Sequence, residues 1–226
     1  MPEISIITPV LNQVSTIEAC IRSVAEQNVD VEHIIIDGGS TDGTVELLER
    51  NSDKLTYWIS EVDSGQSDAI NKGLRHAKGT FFNWLNADDQ LTTNALKEVL
   101  KSIKTDTYVV VGKCEHVDES GTVLETGSAR IWRSLEETLG NYSMGQPSVF
   151  YRTDLIKGLG GLNTDLHLCL DMDLWFRYLI HFGQKNIKQT DKTLSRFLVH
   201  QTSKSSTFGA EMNAEKYGLY HALLTG

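Results

Sequence analysis

Residues Gly79–Gln90 read Gly-Thr-Phe-Phe-Asn-Trp-Leu-Asn-Ala-Asp-Asp-Gln. The apolar, aromatic run is the length of one buried strand. It ends abruptly in Asn86 and the adjacent carboxylates Asp88 and Asp89. Charge at the end of a buried strand is costly unless something compensates it. Carboxylates suit hard divalent ions such as Mg²⁺ or Mn²⁺. The same residues also fit an acidic turn ahead of a helix opening at Thr92 and Thr93. Earlier apolar runs end in polar groups too: Thr8 and Asn12, then Asp37, then Asp63. If those runs are parallel strands, the polar groups collect along one sheet edge, where α/β proteins bind ligands. There Asp37 could accept hydrogen bonds from a base or ribose, and Asp88 and Asp89 could hold a cation on a diphosphate.

The elements that would position these groups alternate regularly. Glu3–Leu11 reads as a strand, and Pro9, which cannot donate to a ladder, should end its pairing near Thr8. Ser15-Thr16-Ile17-Glu18 has the form of a capping box, with Ile17, Cys20, Ile21 and Val24 on one helical face. A strand at His33–Ile36 runs into the Asp37–Gly43 turn and a helix carrying Val45 and Leu48. A strand at Thr56–Ser60 is followed by a helix over about Ser67–Ala77. Ile70, Leu74 and Ala77 form its buried side and Asp68, Asn71, Lys72 and Arg75 a polar stripe. The strand Thr80–Leu85 precedes a helix with Leu96, Leu100 and Ile103 on one face. Four strand–turn–helix units with short connections argue for a mostly parallel sheet with helices on both faces.

From Tyr108 the pattern changes. A strand is expected at Tyr108–Gly112, a hairpin over Lys113–Glu125 turning at Asp118–Gly121, and a strand at Gln146–Tyr151. A flexible turn should follow at Gly158–Gly161. Asp171–Phe182 reads as an apolar helix and Thr193–Val199 as a closing strand. No linker separates the halves. The reading is therefore one domain over 1–226, with a first half to about 105, a second half over about 106–200, and a tail over 201–226.

At 226 residues the chain can bury a proper core. A net charge of −9 argues against nucleic acid, and it means that any phosphorylated ligand needs local cations. Cys20, Cys114 and Cys169 have no CxxC spacing and read as reduced thiols. No run is long enough to span a membrane and no signal peptide is evident, so a cytoplasmic protein is expected, with peripheral contact at the inner membrane face left open. A P-loop, a GxGxxG turn, a zinc cluster and a GxSxG elbow are all missing.

Several linked stretches carry a resemblance. They are Ile4-Ser-Ile-Ile-Thr-Pro-Val-Leu-Asn12, Asp37-Gly-Gly-Ser-Thr-Asp-Gly-Thr44, Ser60-Glu-Val-Asp-Ser-Gly65, Asp68-Ala-Ile-Asn-Lys-Gly73, Gly79–Asp89 and Leu170-Asp-Met-Asp-Leu-Trp175. Over about residues 3–200 the chain resembles family 2 glycosyltransferases of the bacterial polysaccharide-assembly type. The resemblance implies the GT-A fold, an α/β single domain with a Rossmann-like mixed sheet flanked by helices. It makes the first half the donor half and the second the acceptor and catalytic-base half. It implies an inverting transferase that moves a sugar from a nucleotide-diphosphate sugar, UDP-linked by expectation, to a hydroxyl of a saccharide or lipid-linked saccharide, with Mn²⁺ or Mg²⁺ as cofactor.

Carried over by position, the resemblance puts Thr8, Pro9, Asn12 and Asp37 on the nucleotide. Asp68, Asn71 and Lys72 would border the donor. Asn86-Ala87-Asp88 stands where the family has its DxD, so Asp88 carries most of the metal role, with Asp89 either assisting at the metal or standing behind its ligands. Asp171 takes the place of the general base, although Leu170 replaces the Glu expected before it. Side chains two apart on a helix diverge by about 200°, so Asp173 reads instead as a carboxylate favoured by the helix dipole. His200 and Lys204 would reach the diphosphate, and Gln146 the acceptor. Trp84, Trp132 and Trp175 could stack on sugars, but the apolar patterns around Trp84 and Trp175 favour the core. Two rival readings stand beside this one: a nucleotide-sugar-binding protein without transfer activity, and a sugar-1-phosphate nucleotidyltransferase.

Overall fold

The computed structural model describes residues 2–200 and 207–225, with nothing of the Thr225 side chain. Four parallel strands open the chain: β1 (Ile4–Val10), β2 (Val31–Asp37), β3 (Tyr57–Ser60) and β4 (Phe81–Trp84). They alternate with α1 (Ile17–Ala25), α2 (Thr44–Arg50) and α3 (Gln66–His76). The short β5 (Gln90–Leu91) and α4 (Ala95–Ser102) complete this half. Antiparallel pairs then enter through β6 (Val109–Val117), β7 (Val123–Ser128) and β8 (Val149–Arg152), while the long β9 (Ile187–Leu198) runs parallel to β6. The sheet order is β3-β2-β1-β4-β8-β6-β9-β5, with β7 on β6. The helices of the second half are α5 (Leu135–Gly140), α6 (Thr153–Gly158), α7 (Leu170–Phe182) and α8 (Gly209–Thr225).

Both faces of this mixed sheet are covered. Ile7, Ile36, Phe82 and Trp84 pack with Ile70 and Leu74 of α3 and with Trp175 and Leu179 of α7. Ile4, Ile6 and Ile35 pack with α1 and α4. A strand covered on both sides loses the apolar–polar alternation, as the adjacent Ile6 and Ile7 of β1 and the Ile34, Ile35 and Ile36 of β2 show. Gly79 lets β4 enter beside β1, because a Cβ there would meet the Ser5 backbone nitrogen at 2.5 Å. All three cysteines are buried and none is in a disulfide. Among the described residues no helix is long and apolar enough to cross a membrane.

Several expectations are corrected in detail. β1 runs through Pro9 to Val10. The Ile7 carbonyl accepts Leu85 N–H and the Val10 carbonyl accepts Gly38 N–H. Alternation therefore turns Pro9 toward the β4 side, where pairing has already stopped at Trp84, and its missing N–H costs no ladder bond. The capping box does not form: α1 starts after Thr16, whose hydroxyl donates to Gln13 Oε1 at 3.0 Å. Tyr108–Gly112 and the first hairpin arm are one strand, β6, which changes partner from β8 to β7 along its length. Pro147 sits in a 3₁₀ turn at Gln146–Ser148, so β8 begins only at Val149. α5, α6 and α8 were not anticipated, and most of the described tail is helix.

Candidate active site

The carboxyl ends of β1, β3 and β4 open into a cleft of about 820 Å³. Pro9, Val10, Leu11, Asp63, Gly65, Gln66, Trp84, Asn86, Ala87 and Asp88 line its first-half side. The second half contributes Cys114 and His116 of β6, the 142–147 segment, the start of α7, and His200. Met212 and Lys216 of α8 also line it. The expected tail is thus part of the wall.

Asp88 and Asp89 part company. Asp88 lines the cleft and its Oδ2 lies 3.1 Å from His200 Nε2. The two side chains are only 21% and 15% exposed, so the contact is partly shielded from solvent. Asp89 is fully buried; it accepts Leu198 N–H at 3.2 Å and the Asn86 amide at 3.2 Å. Burial, and then the neighbouring Asp88 charge, push the Asp89 carboxyl well above the carboxylate range. It ties the β4 end to β9. Asn86 itself is held by Gln66, whose amide donates to Asn86 Oδ1 at 2.8 Å. Among the described residues no three His, Cys, Asp or Glu side chains cluster as a metal cage. The donor set that meets at the β4 end is one carboxylate beside one imidazole, which suits Mn²⁺ or Mg²⁺ only where substrate phosphates supply further ligands.

Asp171, in the first turn of α7, also lines the cleft. Tyr142 donates its hydroxyl to Asp171 Oδ2 at 2.7 Å. Burial raises the Asp171 pKa, and the Tyr142 hydrogen bond is the largest influence opposing that rise. Burial and the nearby Asp171 carboxylate keep the Tyr142 phenol protonated, as a donor must be. Sequence reasoning missed Tyr142 and Lys216, since no local pattern links either to Asp171. Asp173 pairs with Arg177 at 2.7 Å, four residues along α7, and Arg177 also holds the Gly161 carbonyl.

Other expected donor residues lie off the cleft. The Asp37 carboxylate accepts Gly39 N–H, Ser40 N–H and the Ser40 and Ser60 hydroxyls, organising its own turn. Thr8 is buried, with its hydroxyl 3.0 Å from His33 Nε2; burial lowers the His33 pKa to about 3. Asn12 clamps two loops, accepting Thr41 N–H on its side chain at 2.9 Å. Asn71 spends its amide on the backbone of Leu162, with two bonds of 2.8 Å. Lys72 pairs with Glu61 at 2.8 Å and Asp68 at 3.6 Å. Of the expected donor set, Pro9, Asn86 and His200 reach the cleft with Asp88. Gln146 lines it as well, its amide donating to the Trp84 carbonyl at 2.7 Å. Trp84 and Trp175 are core, and Trp132 is exposed. Lys204 lies outside the described residues.

Known proteins share this fold. The chain superposes on S. aureus TarS residues 1–349, solved in complex with UDP-GlcNAc, with a TM-score of 0.72 at 21% identity, over 92% of this chain and 61% of that one. The Pyrobaculum calidifontis mannosyltransferase PcManGT, solved with GDP-Man and Mn²⁺, gives 0.60 at 19% identity, over 84% and 56%. At these identities the likeness establishes the GT-A fold alone. In sequence, a PGL/p-HBAD biosynthesis glycosyltransferase of Mycobacterium tuberculosis is 30% identical over 185 residues, 78% of this chain and 69% of the relative. An uncharacterized glycosyltransferase of Rickettsia typhi is 28% identical over 193 residues, 79% of this chain and 59% of the relative. The family model described as glycosyl transferase family 2 matches residues 5–159, which include β1–β4 and the Asp88 turn. With more than half its length under that model, the chain belongs to glycosyl transferase family 2 and is a glycosyltransferase.

Proposed function

We propose that the protein is an inverting transferase. It takes a sugar from a nucleotide-diphosphate donor, UDP-linked by analogy with TarS, and passes it to a hydroxyl of a saccharide or lipid-linked saccharide. The observation that carries this reading is the meeting of the Asp88–His200 pair and the Asp171–Tyr142 pair on one cleft. Asp171 accepts the acceptor hydroxyl proton as that oxygen bonds to the anomeric carbon. The bond from that carbon to the diphosphate breaks, the nucleoside diphosphate leaves, and one displacement inverts the centre. Asp171 suits this task because burial strengthens it as a base while Tyr142 keeps the carboxylate oriented.

Asp88 and His200 would hold a divalent cation, which supplies neutralisation of charge on the departing diphosphate. Asp89 would support Asp88 by accepting the Asn86 side-chain amide and the Leu198 backbone N–H. The donor half is residues to about 105 and the acceptor half about 106–200, extended by α8, whose Met212 and Lys216 line the cleft. The test is a screen of UDP- and GDP-sugars with Mn²⁺ by thermal shift, followed by transfer assays with Asp171→Asn. Donor-induced stabilisation is expected in both proteins, with transfer reduced at least about a hundredfold in the variant. Transfer within a few-fold of wild type refutes the base assignment. Donor binding with neither transfer nor donor hydrolysis by the native protein would favour a non-catalytic binding protein, and consumption of a nucleoside triphosphate the nucleotidyltransferase.

A further inference from the structure

The base helix α7 begins without a side-chain cap of its own: Cys169 stands at its N-cap position and makes no capping hydrogen bond. The N–H groups at a helix start must find acceptors elsewhere. The N-cap N–H of Cys169 and the two N–H groups just before it find one on a different element, 46 to 48 residues later in sequence. Glu215 of α8 accepts His167 N–H on Oε1 at 3.1 Å, and Leu168 and Cys169 N–H on Oε2 at 3.0 and 2.8 Å. Three backbone donors thus converge on one carboxylate just two residues short of Asp171. The Cys169 thiol donates in turn to the Met212 carbonyl at 3.5 Å, tying the same point to α8 again. Burial alone would raise the Glu215 pKa, but these three backbone bonds outweigh it and hold the group ionised. Bonds of this charge-assisted kind are the strong ones.

We propose that Glu215 is a positioning residue for catalysis: it fixes the backbone from which α7 departs and thereby aims Asp171 into the cleft. The packing of α8 does not explain the arrangement. Met212, Leu219, Tyr220 and Leu223 already seat the helix against the core. An acidic group is not required for that seat, and an acid half-buried in it is a cost unless the 167–169 backbone repays it. The charge is placed where it orders three consecutive amides, and the residue after it, Lys216, lines the cleft.

The inference rests on Asp171 being the base, so the experiment separates the two. Glu215→Gln, Asp171→Asn, their double variant and Leu223→Ala are compared in the full chain. Leu223→Ala loosens α8 without touching the carboxylate. Readouts are kcat, donor KM, and hydrogen exchange of the 167–169 amides. Glu215→Gln should speed exchange at 167–169 and lower kcat about tenfold, with donor KM within about twofold. Leu223→Ala, at a similar loss of melting temperature, should leave kcat within about threefold. In the Asp171→Asn background the second substitution should cost nothing further. Wild-type kcat in Glu215→Gln despite faster exchange overturns the positioning role, as do additive losses in the double variant. An active Asp171→Asn overturns the base assignment itself.

Discussion

Tyr142→Phe isolates one hydrogen bond at the proposed base. The hydroxyl donates to Asp171 Oδ2 at 2.7 Å, a short bond to a charged acceptor. Phe keeps the ring and its edge-on contact with Phe176, so packing should change little. A hydrogen bond to a charged group contributes about 1.5–3 kcal/mol, and each 1.36 kcal/mol is roughly one decade in an equilibrium. The sign follows from the direction of each influence. Burial raises the Asp171 pKa and Tyr142 opposes it, so the variant carboxyl protonates at higher pH. The protonated form cannot take a proton. The acidic limb of kcat/KM should therefore move to higher pH by about one to two pH units, and transfer measured on that limb should fall roughly tenfold or more. At alkaline pH much of that loss should be recovered. The assay is nucleoside diphosphate release against pH for both proteins, with donor affinity measured separately. An unmoved limb, or one displaced to lower pH, refutes the reasoning; so does a uniform loss at every pH, which would mark Tyr142 as a substrate contact rather than a tuner of the base.

The neighbouring carboxylates at the β4 end should behave differently. Asp88→Ala should abolish most cation-dependent transfer at near-native stability, whereas Asp89→Asn, which resembles the protonated form favoured by burial, should retain activity within about tenfold. Parallel rate and melting measurements check this, and equal losses would contradict it. Gly161→Ala is a test of scaffold: Gly161 has φ of +76° and an added Cβ would strike Asn71 Oδ1. A left-handed non-glycine costs about 1–2 kcal/mol before that clash, so a total near 2 kcal/mol and a melting point lower by roughly 4–8 °C are expected by calorimetry.

What the sequence discloses follows the range of the interactions involved. β1–β4 and their helices are legible because hydrophobic periodicity is local, and so is the cluster of loops at their carboxyl ends. Which polar side chains turn into the cleft is not legible. Thr8 lies in a run buried on both faces, so alternation cannot say whether its hydroxyl meets a ligand or His33. Asp37 precedes two glycines, and its carboxylate folds back onto their turn, a local competition that a ligand-binding aspartate would share in sequence. Asn71 sits on the predicted stripe, yet it meets a backbone 91 residues away. The Pro147 turn and the helical tail were lost for related reasons. Proline signals a break but not its type, and α8 has apolar residues on several sides, including exposed Tyr217 and Leu224, so no single stripe marks its packed face.

The charges gathered in the cleft bear on why Asp88 matters despite Asn86. Asp63, Asp88 and Asp171 line it, and among the described residues Lys216 is the single lysine or arginine that does. The lysine expected to help, Lys72, is committed to Glu61 and Asp68. Across the chain acids exceed bases, with a net charge of −9, so the long-range field also disfavours an incoming diphosphate. Such a site can bind that anion tightly only if positive charge arrives with it or is created in place. In the proposed reading a divalent ion carried on the donor phosphates would bring that charge. It would be held at Asp88, whose Oδ2 lies 3.1 Å from the His200 imidazole. Asn86 in place of the first acid of the motif would therefore remove one charge without moving the point at which compensation is needed, and Gln66 and Asp89 hold that asparagine in the turn beside the proposed ligand Asp88.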